Sequence, residues 1–330
     1  MVSRQDELKD IKTRLKNIVP NTEIIACHEA NIQIKIVRTP HKQCLCQFQF
    51  PVNYPDAAML TELKSKVFSD KVLKTMSCLV EAELKKMTGR VQVVSAVKFL
   101  NTFIQDNPLV VCAEEISNTK KNLVQEQDEF KVKQKAGSIT YKIVCKKYFL
   151  HVKLTIPDLY PTESVKIEFK GSNFPKLLET HFVAQAIEVA RRCVEAPLKK
   201  DPKAPPFQPK PSLYPVLEYL SGDSIHEFPT QKCPYCKKLA LKEDPEQNVK
   251  DEEADDFVEW IYCNHIYHHK CLDIYMKTPP FTGGKKCIKC GLRIYHDKWN
   301  ISPQLAEDRW AHKEARKREI DEVADFLDLM

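Results

Sequence analysis

Apolar residues first recur at three- and four-residue steps, with Leu8, Ile11, Leu15 and Ile18 set among charges. That period predicts a helix, and Pro20-Asn21 ends it. The period then shortens to two. Strands are predicted over 22–27, 32–37 and 45–50, with Ile32, Ile34 and Ile36 in strict alternation. Phe50-Pro51-Val52-Asn53-Tyr54-Pro55 cannot continue a strand. Beyond it the pattern is helical: one helix over 70–87 and another carrying Val94, Val97, Leu100, Phe103 and Ile104, up to a break at Asp106-Asn107-Pro108.

The same programme then repeats. A polar helix over 114–127 leads to strands over 130–133, 139–145 and 149–156, and then to Ile156-Pro157-Asp158-Leu159-Tyr160-Pro161. The two elements share apolar-Pro-x-x-Tyr-Pro, 106 residues apart. A strand over 165–169 precedes a long helix with Phe182, Val183, Ala186, Ile187, Ala190 and Val194 on one face. Residues 196–212 hold six prolines and read as a rigid connection. A short helix with Val216, Leu217 and Leu220 closes the repeat.

A helix, a strand meander, a Tyr-Pro turn and then helices make an α+β sandwich. Order and Tyr-Pro element together resemble the RWD domain, a relative of the ubiquitin-conjugating fold, over residues 1–107 and again over 112–225. Conjugating enzymes need a reactive cysteine in an extended loop after a His-Pro-Asn element, which neither copy has. Cys78 and Cys193 lie in helical patterns instead. Both copies are therefore expected to be binding modules.

Charge changes the picture little. A net charge of +6 is spread along the chain without interleaved aromatics, so nucleic acid is not an expected partner. No apolar run is long enough for a membrane span, and the charged N-terminus is not that of a secretory signal, so a cytoplasmic or nuclear protein with reduced thiols is expected. Of thirteen cysteines, seven are scattered over residues 27–193 and six crowd into 233–290.

That crowding has a metal-ligand spacing. Cys233-x-x-Cys236 and Cys287-x-x-Cys290 bracket Cys263-x-His265-x-x-His268-x-x-Cys271. Two thiols separated by two residues converge on one ion. The eight residues resemble the RING-H2 pattern, with His268 taken over the adjacent His269 and His296 left at the surface. The resemblance implies a cross-brace over 230–300, in which Cys233, Cys236, His268 and Cys271 hold one zinc ion and Cys263, His265, Cys287 and Cys290 hold a second. Both ions are expected to be structural, since all ligands are protein.

RING domains bind a ubiquitin-charged conjugating enzyme and orient it. The resemblance implies contact through Tyr235, Tyr275 and Ile288, the last standing where proline is usual. Gly291 follows the eighth ligand, where a cation is common, with Lys289 and Arg293 nearby. The expected fold is thus α+β: two RWD-like sandwiches, a small zinc-bound RING and a C-terminal helix over 301–330. That order is similar to RWD-containing RING ligases, and implies a conjugating enzyme and a protein substrate as partners. The alternative is a non-catalytic scaffold subunit with a degenerate RING. The acidic stretch 243–256 reads as a flexible solvated loop. Ile320, Val323, Phe326 and Leu327 form an apolar stripe suited to packing on the body of the protein or to docking a partner, and Lys313, Arg316, Lys317 and Arg318 resemble a nuclear-import cluster.

Overall fold

The structure, a computed structural model, describes residues 3–197, 205–299 and 301–328, without the side chains of Val323 and residues 325–328. The chain is mixed α and β with antiparallel sheets. Its order begins α1 (Arg4–Ile18), β1 (Thr22–Cys27), β2 (Ile32–Thr39), β3 (Lys42–Gln49), β4 (Leu60–Lys64), α2 (Asp70–Lys85) and α3 (Val93–Asp106). It continues with α4 (Ala113–Asn122), β5 (Glu129–Lys133), β6 (Ser138–Cys145), β7 (Tyr148–Thr155), β8 (Lys166–Ser172), α5 (Lys176–Val194) and α6 (Leu213–Glu218). Then come β9 (Val258–Ile261), β10 (His265–His268), α7 (His269–Lys277) and α8 (Pro303–Asp328).

Two four-stranded sheets follow sequence order, β1-β2-β3-β4 and β5-β6-β7-β8, and β9 pairs with β10. Strand β4 is absent from the sequence expectation. It buries only Leu63, so it offers no alternation to read. Helix α4 stops five residues short of its expected end, and Ile187 on α5, expected on the buried face, is 51% exposed.

The chain divides into two compact units. One comprises Met1–Ile143, His151–Lys170 and Val183–Ser221, the other Val144–Leu150, Gly171–Phe182 and Gly222–Met330. Within the first unit, Ile32, Ile34, Ile36, Cys44, Cys46 and Phe48 point to one face of their sheet and share a core with Ile11, Leu15, Val97 and Leu100. Burial of such aliphatic side chains contributes about 1.5–3 kcal/mol each.

The repeat extends to a polar device that spacing alone does not reveal. Buried Glu7 on α1 accepts the Tyr54 hydroxyl and the amides of Gln92 and Val93 at the start of α3. Glu115 on α4 accepts the Tyr160 hydroxyl at 2.5 Å and the Tyr214 amide at 2.9 Å at the start of α6. In both copies one carboxylate ties the Tyr-Pro turn to a later helix N-terminus, where its charge also suits the exposed amides. Lys42, its side chain 5% exposed, joins the copies by pairing with Asp158 at 2.7 Å. The neighbouring ammonium holds the Asp158 carboxyl below its ordinary range.

Candidate metal centre

Each Cys-x-x-Cys element is the tip of a minimal hairpin, and the two hairpins are alike bond for bond. Cys233 donates its amide to Lys238 and accepts from the Lys237 amide, at 2.8 and 2.9 Å; Cys287 donates to Leu292 and accepts from Gly291, at 2.7 and 2.8 Å. Isolated bridges close the hairpins, Lys232 with Leu239 and Lys286 with Arg293. The residue after each second cysteine is left-handed, Lys237 at φ 63° and Gly291 at φ 74°. That reversal turns both thiols of a knuckle toward one point.

Of the central residues, Cys263, His265 and His268 sit on the β9–β10 hairpin, where His265 pairs with Ile261 and His268 with Val258, and Cys271 follows on α7. Three residues apart on one strand, the two histidines face opposite sides of it, so they serve different clusters. His268 Nδ1 lies 3.4 Å from Cys236 Sγ and 3.8 Å from Cys271 Sγ. His265 Nδ1 lies 3.3 Å from Cys263 Sγ and 3.4 Å from Cys287 Sγ. The donor atoms of Cys233, Cys236, His268 and Cys271 all fall within 4.8 Å of one another, as do those of Cys263, His265, Cys287 and Cys290. First and third ligand pairs meet, and so do second and fourth.

These two groups could each hold a metal ion. A tetrahedral ion with sulfur at about 2.3 Å and nitrogen at about 2.0 Å separates its donors by roughly 3.5–3.8 Å, close to the separations observed. Donor chemistry agrees. Each group drives the pKa values of its thiols apart: burial first, and then the adjacent sulfurs, raise Cys263 and Cys271 to about 12, whereas burial is outweighed by hydrogen bonds that lower Cys233 to about 6 and bring Cys287 down. A cation between the sulfurs of a group would let them ionise together. His268 is also oriented from behind, its Nε2 lying 3.1 Å from the Leu239 carbonyl, which accepts the ring N–H and leaves Nδ1 free to ligate.

His269 is engaged elsewhere. Its Nδ1 lies 2.8 Å from Glu259, a carboxylate 3% exposed that also meets His296 Nε2 at 3.3 Å and Lys298 Nζ at 3.2 Å. Burial alone would raise the Glu259 pKa, but the contacts from His296, His269 and Lys298 outweigh it and hold the group down at about 2. His296 is therefore not the surface histidine expected; its side chain is 17% exposed, and Trp299 packs against its ring and that of His269. Tyr267 is a further supporting residue missed from the sequence. Fully buried between the two histidine ligands, its hydroxyl accepts from the Ile288 amide at 3.1 Å and lies 3.3 Å from Cys287 Sγ.

The acidic stretch is a pinned loop, contrary to expectation. Asn248 at its centre donates to the Tyr148 hydroxyl at 2.6 Å and accepts from the Lys242 amide at 3.1 Å, and Tyr148 in turn donates to the Lys242 carbonyl. Asp256 and Asp255 pair with Lys242 and Lys270, and Glu252 and Glu253 with Lys298. On the β9–β10 hairpin, Trp260 stacks on His181 of α5 at 3.7 Å, and both reach the Asn264 side chain between ligands Cys263 and His265.

Tyr235 and Ile288, one inside each knuckle, are both 41% exposed. Tyr275 on α7 lies 6.3 Å from the Tyr235 ring and donates to the Lys286 carbonyl, while Lys285 sits 4.7 Å over its face. Cys78 and Cys193 are both helical, on α2 and α5. On α8, Ala306 is buried but Ile320 is 60% exposed; the side chains of Val323, Phe326 and Leu327 lie outside the described residues. Among the described residues no helix is long and apolar enough to cross a membrane. No protein-family model matches the chain, and no curated protein matches it in sequence.

Proposed function

We propose that the two Cys/His groups bind zinc as a RING-type cross-brace, and that the protein is a ubiquitin ligase recruiting a charged conjugating enzyme. The observation that carries this reading is the interleaving of the groups, each made of three cysteines and one histidine drawn from separate chain segments. Zinc suits a closed thiolate-imidazole set, which leaves no position for water or substrate. The ions are then structural, and the role of the domain is to hold a reactive pair in orientation rather than to supply a nucleophile. Tyr235, Tyr275 and Ile288 form the surface offered to the conjugating enzyme. The repeated sheets, with their paired Tyr-Glu ties, serve as RWD-like modules for the substrate. Zinc-loaded protein incubated with a panel of conjugating enzymes, activating enzyme and ubiquitin is expected to build ubiquitin conjugates. Failure with every member of the panel would count against the ligase.

One observation favours a second reading, a non-catalytic scaffold. Gly291 stands in a left-handed step with open space around it and supplies no cation. Ubiquitination that appears only in Gly291→Arg and never in the natural protein would assign it to the scaffold class.

A further inference from the structure

The outer face of the β1–β4 sheet carries a feature the cysteine clusters do not use. Outward positions on β2 and β3 are Gln33, Lys35, Val37, Gln43, Leu45, Gln47 and Gln49, a mostly polar face that Val37 and Leu45 interrupt. Register sets Lys35 directly opposite Leu45 on one side and Lys64 opposite it on the other. At the edge the pairing of β1 with β2 slips between Ile24 and Ala26, and the intervening Ile25 is 55% exposed. Ile25, Leu45, Lys35, Lys64 and Lys66 line an open hollow of about 640 Å³ to which no carboxylate contributes. Lys64 is shared with Glu62 at 3.1 Å, and register sets the exposed Glu23 of β1 opposite Lys35, although no ion pair is formed by Lys35 or Lys66 among the described residues.

We propose that this hollow docks an acidic segment of a partner protein. One apolar side chain enters between Ile25 and Leu45, and the flanking carboxylates meet the three ammonium groups. Sign and shape both select that occupant: the walls are cationic, the floor is aliphatic, and complementary charge across a rim steers and registers a partner. A nucleic acid would find the charge but no aromatic ring for a base to stack on. The inference is independent of the ligase reading and stands if that reading fails.

The test uses the full chain with methyl-labelled isoleucine and leucine. It is titrated with a short peptide alternating glutamate and leucine, with a lysine-leucine peptide and a single-stranded oligonucleotide as comparisons. The acidic peptide is expected to shift the Ile25 and Leu45 methyl signals, to bind more weakly as salt rises, and to lose about tenfold or more in affinity with Lys35→Glu or Lys66→Glu. Lys66 is exposed beyond the end of β4, so its variant keeps the wild-type melting curve. Unmoved Ile25 and Leu45 signals, equal binding by the lysine peptide, or tighter binding of the oligonucleotide at these methyls would each overturn the proposal.

Discussion

Lys237 and Gly291 make the same left-handed step, each directly after the second cysteine of its knuckle and each donating its amide to the first. A residue with a Cβ costs about 1 kcal/mol more than glycine in this conformation, and the first knuckle carries that cost at Lys237. A Cβ built on Gly291 meets nothing within 4 Å. Gly291→Lys is therefore expected to keep the same metal content as the natural protein and to unfold about 1 kcal/mol more easily, with Lys237→Gly changing stability by a similar amount in the other direction. Denaturant unfolding alongside native mass spectrometry measures both. Lost metal in Gly291→Lys would mean the two knuckles are not equivalent.

His268 and His269 are adjacent but have different tasks, and their alanine variants separate them. His268→Ala removes the nitrogen that meets Cys236 and Cys271, so native mass spectrometry should find one fewer metal ion per chain. His269→Ala should keep the full metal content and lose about 1–3 kcal/mol, because Glu259 stays buried with only His296 and Lys298. Equal metal content in the two variants would refute the assignment.

What could be read from the chain divides by distance along it. The two Cys/His groups are written in local spacings, because a knuckle needs its cysteines two residues apart and a strand alternates faces over its own length. The first core was legible for the same reason, through Ile32, Ile34 and Ile36. Partners brought together from afar leave no such mark. Tyr148 and Asn248 are 100 residues apart, and neither looks unusual in its own neighbourhood. His296 and Glu259 are similarly mute, so a histidine past the last knuckle passed for a surface residue. In β4, a single buried leucine gave too little pattern to outweigh the helical signals around it.

The tie between Glu115 and Tyr160 predicts a pH effect of defined sign. Burial raises the Glu115 pKa above its ordinary 4.5, although Tyr160 and the amides of α6 pull the other way. The folded state therefore holds this proton more tightly than the unfolded chain. Stability from this group is full below pH 4.5 and declines as pH rises through the folded value. Glu115→Gln cannot ionise, so its stability relative to wild type should climb from pH 4.5 toward neutrality, whatever acceptor strength it loses. Comparing the two proteins cancels the contributions of the groups they share. A flat or falling difference would contradict the assignment. Tyr160→Phe leaves the Leu213 amide and one Glu115 oxygen without their partner and should cost about 1–3 kcal/mol, as should Tyr54→Phe in the first copy.

Asn248 makes the sharpest prediction about the acidic loop. Its amide group reaches Tyr148, Lys242 and the Pro245 carbonyl, so one side chain fixes the middle of a stretch whose ends are held by ion pairs. The carboxylates of those pairs are mostly exposed, with Asp255 and Asp256 at 64% and 55%, and such pairs contribute about 0–1 kcal/mol each. Neutral hydrogen bonds shielded from water should therefore dominate the loop's order, and salt should matter little. Asn248→Ala is expected to open residues 243–256 to limited proteolysis at low and high ionic strength alike, while metal content is unchanged. Asp255→Asn with Asp256→Asn should leave the cleavage rate near wild type. If instead salt alone releases the loop and Asn248→Ala does not, the ion pairs hold it and the hydrogen-bonded latch is secondary.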